Sequence, residues 1–353
     1  MWGFESPLSH PMDPRDTRYA RQERLAEFGA DAQRRLGAAT AVVVGLGALG
    51  SVAADLLARA GVGRLRLLDR DVVDWPNLQR QVLYTEADAD AGRLKAEAAR
   101  ERLHAVNSGI RLEAHAEELH AGNVSALLEG ADVVVDGTDN FRTRYLVNDW
   151  AVRAGKPWVY AGVVSTYGLV GAHLPGGPCL RCTWPDPPDA ADAPTCRSAG
   201  VLGPAVSVVA GAASGEALKI LAGRDEAVCP GYLYLDLWTG DYRRMAGDRD
   251  PACPCCGAEG TQPWLSGAHG TRRAEPVCGG NAVQVPAGAT TPDLEALESK
   301  LAGTVDSLVR ATRYLRFESD GLDIYLFADG RALVRGTEDP DRARAVVEAT
   351  VGG

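Results

Sequence analysis

The sequence predicts an α/β fold, a doubly wound, Rossmann-like and mostly parallel sheet, followed by a small α+β domain at the C-terminal end. Three observations carry that expectation. Ala41-Val42-Val43-Val44 is an apolar run that enters Gly45-Leu46-Gly47-Ala48-Leu49-Gly50, and an Ala/Leu-rich helical stretch from Ser51 to about Ala60 follows it. Further short apolar runs, Leu65 to Leu68, Ile110 to Ala116 and Ala131 to Asp136, alternate with helical patterns, as in βαβ units. Beyond residue 289 come a helix from Pro292 to Leu301, a strand near Tyr314 to Phe317, and a hairpin. In that hairpin Leu322 to Phe327 and Ala332 to Val334 flank Ala328-Asp329-Gly330.

A chain of 353 residues suggests two domains rather than one small core. We expect an arm over 1–17, a main domain over 18–260, a Gly/Pro/Thr-rich linker over 261–289 and the small domain over 290–353. A net charge of −10, with Lys and Arg scattered, speaks against nucleic acid as a partner. The opening Met1-Trp2-Gly3-Phe4-Glu5-Ser6-Pro7 lacks the basic-then-apolar order of an export signal, and no apolar run is expected to reach the length of a membrane span. A cytoplasmic chain without membrane contact follows as the expectation.

Gly45 allows the tight turn, Gly47 lets backbone approach a phosphate, and Gly50 lets the helix pack close to its strand with its first N–H groups facing an anion. The turn alone does not select a nucleotide, since dehydrogenases use it too. Asp69 ends the next strand, where a dinucleotide fold places an acid on ribose hydroxyls; a surface-turn aspartate is the other reading. The stretch Asp71 to Gln81 then departs from a redox pattern, being dense in donors where such a fold enters its next helix. Asn77, Arg80 and Gln81 can converge on a triphosphate, and Lys95 on the following helix would neutralise phosphate charge as it develops. Each is singly more often a solvated side chain. Asp139, in Gly137-Thr138-Asp139-Asn140, falls where a nucleotide-bound metal would be held, while Thr138, Asp139 and Asn140 are equally good caps for the next helix.

Cysteine usage points to metal chemistry. Cys179-Leu180-Arg181-Cys182 and Cys253-Pro254-Cys255-Cys256 are two knuckles in Gly/Pro settings, and Cys179, Cys182, Cys253 and Cys256 have the pattern of a structural zinc site, with Cys255 spare. Two redox dithiols are the weaker alternative. Between the knuckles, Cys196 stands beside Arg197 and just before a Gly/Ala-rich helix beginning near Gly203, a setting that favours a thiolate; an inert exposed thiol is the other reading. Arg21, in Arg18-Tyr19-Ala20-Arg21-Gln22, reads by itself as part of a charged helix face.

Over roughly Arg18 to Gly257 this ordered set of motifs resembles the ThiF/MoeB family, bacterial relatives of ubiquitin-activating enzymes. The resemblance implies ATP-dependent adenylylation of the C-terminal glycine of a ubiquitin-like sulfur carrier, with pyrophosphate released, in thiamine or molybdopterin biosynthesis. It implies that Gly45, Gly47 and Gly50 line the phosphates, that Asp69 holds the ribose, and that Asn77, Arg80, Gln81 and Lys95 hold the polyphosphate. Asp139 would hold magnesium, with Asn140 counted among the nucleotide contacts. Arg21 resembles the family's arginine supplied across a dimer interface, so a homodimer is implied. The knuckle cysteines match the family's zinc site, and Cys196 matches its crossover-loop cysteine, which links to the carrier in the thiamine branch. Ala48 stands where a further Gly is common. No rhodanese-like domain is expected, so a separate cysteine desulfurase or rhodanese would donate sulfur.

Two readings from other classes remain. A NAD-dependent oxidoreductase would explain Gly45 to Asp69 but not Asn77 to Gln81 or the knuckles. A non-catalytic dimerising scaffold would be expected to have lost Arg21, Arg80, Lys95 or Asp139. A tRNA-modifying relative fits poorly with the acidic balance.

Overall fold

A run of valines without polar alternation is a strand covered on both faces, and β1 (Thr40–Val44) is buried at every position. The computed structural model describes residues 17–188, 199–267, 274–276, 281–288 and 291–351. Ahead of β1 lie α1 (Ala20–Glu23) and α2 (Gly29–Ala38). After it come α3 (Ala48–Ala60), β2 (Arg64–Leu68), α4 (Glu86–Asp90), α5 (Lys95–Val106), β3 (Arg111–His115), α6 (Val124–Leu128), β4 (Val133–Asp136), α7 (Phe141–Ala154), β5 (Trp158–Val164) and β6 (Tyr167–His173). The first unit closes with α8 (Leu180–Thr183), α9 (Gly203–Leu221), β7 (Tyr232–Asp236) and β8 (Asp241–Met245).

These strands form one sheet in the order β3-β2-β1-β4-β5-β6-β7-β8. Pairing is parallel from β3 through β5 and antiparallel from β5 through β8. The chain winds outward from β1 to β3 and then returns to the other side of β1 at β4. Between β1 and β4 lies the crevice where open α/β sheets bind ligands.

Two close backbone approaches shape that crevice. A Cβ at Gly50 would lie 1.8 Å from the Gly45 carbonyl oxygen, and one at Gly137 would lie 2.4 Å from the same atom. Three chain segments therefore meet with nothing but backbone between them.

The long helix α9 corrects one expectation from the sequence. Its 19 residues are long and apolar enough to cross a membrane by length and composition only, and 56% of its most apolar 18-residue window is buried inside the fold. Val206, Val209, Ala210, Ala213 and Ala217 belong to the same core as α3 and the sheet, and Glu216 near the end of α9 is buried and paired with Lys219 at 2.6 Å.

The second unit contains β9 (Glu275–Pro276), β10 (Ala282–Val285), α10 (Leu294–Leu301), β11 (Asp306–Arg310), β12 (Tyr314–Ser319), β13 (Leu322–Phe327), β14 (Ala332–Arg335) and α11 (Pro340–Val351). Its strands form a six-stranded antiparallel sheet in the order β11-β12-β13-β14-β10-β9. The span expected to be a linker, 261–289, thus supplies two strands of this sheet. Its Gly/Pro/Thr-rich composition conceals Ala282–Val285, a short strand buried at every position. Strand β11 has no apolar alternation and lies exposed at the edge, which is why the sequence pattern misses it.

Alternation along β12 and β13 sends side chains to two different cores. Leu315, Phe317, Leu322, Ile324 and Leu326 pack with α10 and α11, whereas Tyr314, Tyr325 and Phe327 join the core of the first unit. The two units share a buried seam.

Gly50→Ala is expected to destabilise the fold by about 1–3 kcal/mol or more, because backbone rather than a movable side chain blocks the added methyl. Urea denaturation measures this. A midpoint equal to wild type would contradict the close approach at Gly45.

Candidate functional site

The glycine turn is held from below. Gly45 has φ +82°, and its N–H donates to Leu68 O at 2.7 Å, while Gly137 N–H donates to Val44 O at 2.8 Å. The Asp69 carboxylate accepts from Leu46 N–H at 2.6 Å through one oxygen and from Asp71 N–H at 2.7 Å through the other. The buried Tyr84 hydroxyl donates to Leu46 O at 2.8 Å. A loop clamped in this way presents the start of α3, whose N-cap is Gly47 and whose first turn has no side-chain cap. Those N–H groups are free for an anion. At Gly47 an added Cβ would meet nothing nearer than Gln81 Nε2 at 3.8 Å. Gly50 is required by packing, whereas the space beside Gly47 is open.

Facing this turn is a cluster of buried charge. Lys95, at the start of α5, is 5% exposed and lies 3.3 Å from Asp71 through its Nζ. Burial alone would discharge it, but the Asp71, Asp69 and Asp139 carboxylates outweigh that and raise its pKa. Burial likewise opposes ionisation of Asp71, yet Lys95, Arg70 and Arg331 hold its pKa below the usual carboxylate value. Asp69 is pushed upward by burial, against the attraction of Lys95. Lys95 is a charged ammonium held ready in a low-dielectric wall, where a phosphate would feel it strongly.

The other wall starts at the end of β4. Asp136 pairs with Arg144 of α7 at 2.9 Å, both buried, and Arg144 also donates to Thr138 O at 2.7 Å and Ala161 O at 3.0 Å. Asn140 is the helix cap, accepting from Thr143 N–H at 2.9 Å. Asp139 is not the cap; it stays exposed, with its field reaching Lys95 and Arg144. Of the two readings left open by the sequence, capping falls to Asn140 and leaves Asp139 available.

Asn77 and Gln81 are buried at 4% exposure each, and the Gln81 Oε1 has no hydrogen-bond partner. Arg80 is half-buried, folded back onto Pro76 O at 2.9 Å and Asn77 Oδ1 at 3.4 Å. Arg21 is exposed on α1, which docks through Gln22 onto Ala60 O at 3.0 Å. Cys196 lies outside the described residues. Sequence reasoning passed over Asp71, Tyr84, Asp136 and Arg144. Each looks like an ordinary loop, strand-end or helix residue until the fold brings its partner alongside.

The second site is built from sulfur. Cys179 and Cys182 flank the start of α8, and their Sγ atoms lie 3.6 Å from Cys253 and 3.4 Å from Cys256 respectively. All four Sγ atoms are within 4.8 Å of one another. A tetrahedral ion with bonds of about 2.3 Å sets sulfur atoms about 3.8 Å apart, so the cluster fits a metal such as zinc. The Cys255 contact and burial raise the pKa of Cys179, and burial raises that of Cys182; a divalent cation is what lets such thiols ionise together. Cys255 stands outside this group of four: its thiol donates to the buried Asp149 carboxylate at 3.2 Å, and Asp149 also accepts from Trp264 N–H at 3.1 Å.

Comparison with known proteins decides the affiliation. The model of the ThiF family matches residues 19–255. The chain belongs to the ThiF family. It is 40% identical over 339 residues to a Bacillus subtilis protein named sulfur carrier protein ThiS adenylyltransferase, covering 95% of this chain and 99% of that one. It is 42% identical over 251 residues to a Thermus thermophilus sulfur carrier protein adenylyltransferase, covering 69% and 92%. A mouse relative named adenylyltransferase and sulfurtransferase MOCS3 is 42% identical over 246 residues, of which this ThiF-family chain spans 53%. Among solved structures, E. coli MccB with ATP superposes with a TM-score of 0.60 at 24% identity, covering 68% of this chain and 74% of that one. That likeness establishes the fold. Family membership implies ATP use, and the NAD-dependent oxidoreductase reading is not favoured by relatives named adenylyltransferases.

Arg144→Met is expected to leave Asp136 as an unpaired buried charge and to cost about 3–5 kcal/mol, read by urea denaturation. The purified chain is expected to carry about one metal ion, read by inductively coupled plasma mass spectrometry, and to melt at lower temperature after chelation. A metal-free protein of unchanged melting temperature would rule out the sulfur site as a structural one.

Proposed function

We propose that this chain activates the C-terminal glycine of a ubiquitin-like sulfur carrier with ATP, forming a carrier acyl-adenylate and releasing pyrophosphate, for sulfur transfer in thiamine or molybdopterin cofactor biosynthesis. The observation that carries this reading is the crevice between β1 and β4. An uncapped helix N-terminus, open at Gly47, faces a buried and charged Lys95 across a site bordered by Asp69 and Asp139. In this reading Gly45, Gly47 and Gly50 shape the phosphate site and Asp69 takes the ribose. Its oxygens already accept two backbone N–H groups, and a carboxylate has acceptor capacity left for hydroxyls.

The chemistry is one of charge placement. The carrier carboxylate is already ionised at neutral pH, so no general base is needed. It attacks the α-phosphorus, the bond to the bridging oxygen of the leaving pyrophosphate breaks, and negative charge moves onto that oxygen. Lys95 and Arg80 lower the repulsion between carboxylate and triphosphate and stabilise the leaving group. Arg80 would unfold from Pro76 O to do so. Asn77 and Gln81 supply neutral donors, Gln81 from beside Gly47, and Asn140 keeps the Asp139 loop at the head of α7. Magnesium at Asp139 would screen the phosphate oxygens.

We further propose a homodimer in which the exposed Arg21 of one copy serves the crevice of the other, and a separate desulfurase or rhodanese as sulfur donor. Cys196 is proposed as the thiol that meets the activated carrier. The six free cysteines among the described residues suit a reducing cytoplasm.

ATP–pyrophosphate exchange, dependent on a carrier ending in Gly-Gly, tests the proposal. Arg80→Ala and Asp139→Ala are each expected to lower exchange about a hundredfold or more. Wild-type exchange in either variant would remove that residue's role, and silence of the folded, metal-loaded wild type with every candidate carrier would remove the function.

A further inference from the structure

Leu46, inside the glycine turn, is held through both of its peptide groups. Its N–H donates to Asp69 at 2.6 Å, and its carbonyl oxygen accepts from the Tyr84 hydroxyl at 2.8 Å. Its side chain is fully buried in the core of the first unit. No peptide bond among the described residues is cis, and in a trans peptide the C=O and the following N–H point in opposite directions. Holding Leu46 O therefore sets the direction of the Gly47 N–H, which leads away from Tyr84. Among the described residues that N–H has no acceptor, and a Cβ at Gly47 would meet only Gln81 Nε2, at 3.8 Å.

Tyr84 stands at the far end of the donor-rich stretch that carries Asn77, Arg80 and Gln81. That stretch is a string of tight turns. The Arg80 and Gln81 N–H groups each donate to Asn77 O at 3.1 Å, and the Tyr84 N–H donates to Gln81 O at 3.4 Å. Directly after it, Thr85 starts α4 with a capping box to Asp88. The Tyr84 ring is buried in the core of the first unit, a place that a phenylalanine would fill equally well. What the hydroxyl adds is the bond to Leu46 O, which joins the turn that carries Gln81 to the turn that carries Gly47. Burial, then the charges of Asp69, Asp71 and Asp88, push the Tyr84 pKa well above the usual tyrosine value, so the hydroxyl keeps the proton it donates.

We propose that Tyr84 is a positioning residue of the nucleotide site: by holding Leu46 O it aims the Gly47 N–H at a phosphate of the bound nucleotide and keeps Gln81 beside it. This role rests on the reading of the crevice as the ATP site. Glycine has the widest backbone freedom of any residue, so an N–H at Gly47 that is aimed before the ligand arrives saves ordering on binding. The hydroxyl acts on the phosphates alone, and the nucleoside part of ATP and the carrier do not depend on it.

The test uses the full chain and the variant Tyr84→Phe, which keeps the ring. Direct binding of a non-hydrolysable ATP analogue and of adenosine is measured, together with KM for ATP and for the carrier in exchange. Tyr84→Phe is expected to raise the analogue Kd and the ATP KM about fivefold, with the adenosine Kd and the carrier KM within about twofold of wild type. A merely structural loss would weaken adenosine and the analogue alike. A second measurement needs no Tyr84 variant: in wild type carrying isotope-labelled glycine, the Gly47 amide resonance, assigned by its loss in Gly47→Ala, is expected to move with the analogue and not with adenosine. Wild-type analogue binding by folded Tyr84→Phe, equal losses for analogue and adenosine, or a Gly47 resonance that the analogue leaves in place would each overturn the proposal. A wild type that does not bind the analogue at all would overturn the reading of the crevice, and the role of Tyr84 with it.

Discussion

The carbonyl oxygen of Gly45 is the point on which the structure turns, because it occupies the space that a side chain at Gly50 or Gly137 would need. Close approach there brings the end of β1, the first turn of α3 and the loop after β4 into direct backbone contact. Two consequences follow at once. The uncapped first turn of α3 is set beside the end of β1, and the loop carrying Asp139 begins one residue beyond Gly137. The site thus depends first on missing side chains and only afterwards on the charged ones added around it.

Those charged groups are held by one another as much as by the backbone. Asp71 restrains Lys95 on one wall, and Asp136 restrains Arg144 on the other. Neither pair is free stabilisation, since taking each ion out of water costs several kcal/mol before the attraction returns it. What the pairs provide is fixed charge in a wall of low dielectric, held in place before any ligand arrives. Arg144 does this through three hydrogen bonds, to Asp136, Thr138 O and Ala161 O, tying the Asp139 loop to β5.

Much of this was legible in the sequence where the signal is local. The glycine turn, the buried strands and the four clustered cysteines are patterns within a few residues of one another or repeats of one pattern, and the fold brings them together. The second unit was legible as a helix, a strand and a hairpin but not in its extent. Ala282–Val285 is too short and its flanks too rich in Gly and Pro to announce a strand, and β11 lies at an exposed edge without apolar alternation. Ala116 and Arg331 were not legible as partners at all. They are far apart along the chain, and no local rule distinguishes an arginine after a hairpin turn from one that is buried against the opposite unit.

The crevice is braced from two directions that the chain reaches last. On the β4 side, α7 starts from the Asn140 cap and ends near the sulfur site, where Asn148 accepts from Leu180 N–H at 2.9 Å and Asp149 binds Cys255 and Trp264. The knuckles therefore fix the far end of the helix whose near end carries Asp139. On the β2 side, the second sheet closes over Ala116, Val73 and Gly92 through Arg331, Arg335 and Tyr314. A Cβ at Gly92 would lie 2.5 Å from the Tyr325 hydroxyl, so this contact, like the one at Gly45, exists because a side chain is absent. Both braces act on segments that end at the crevice and not on the crevice itself, which leaves the surface at Gly47 open while its two walls are held.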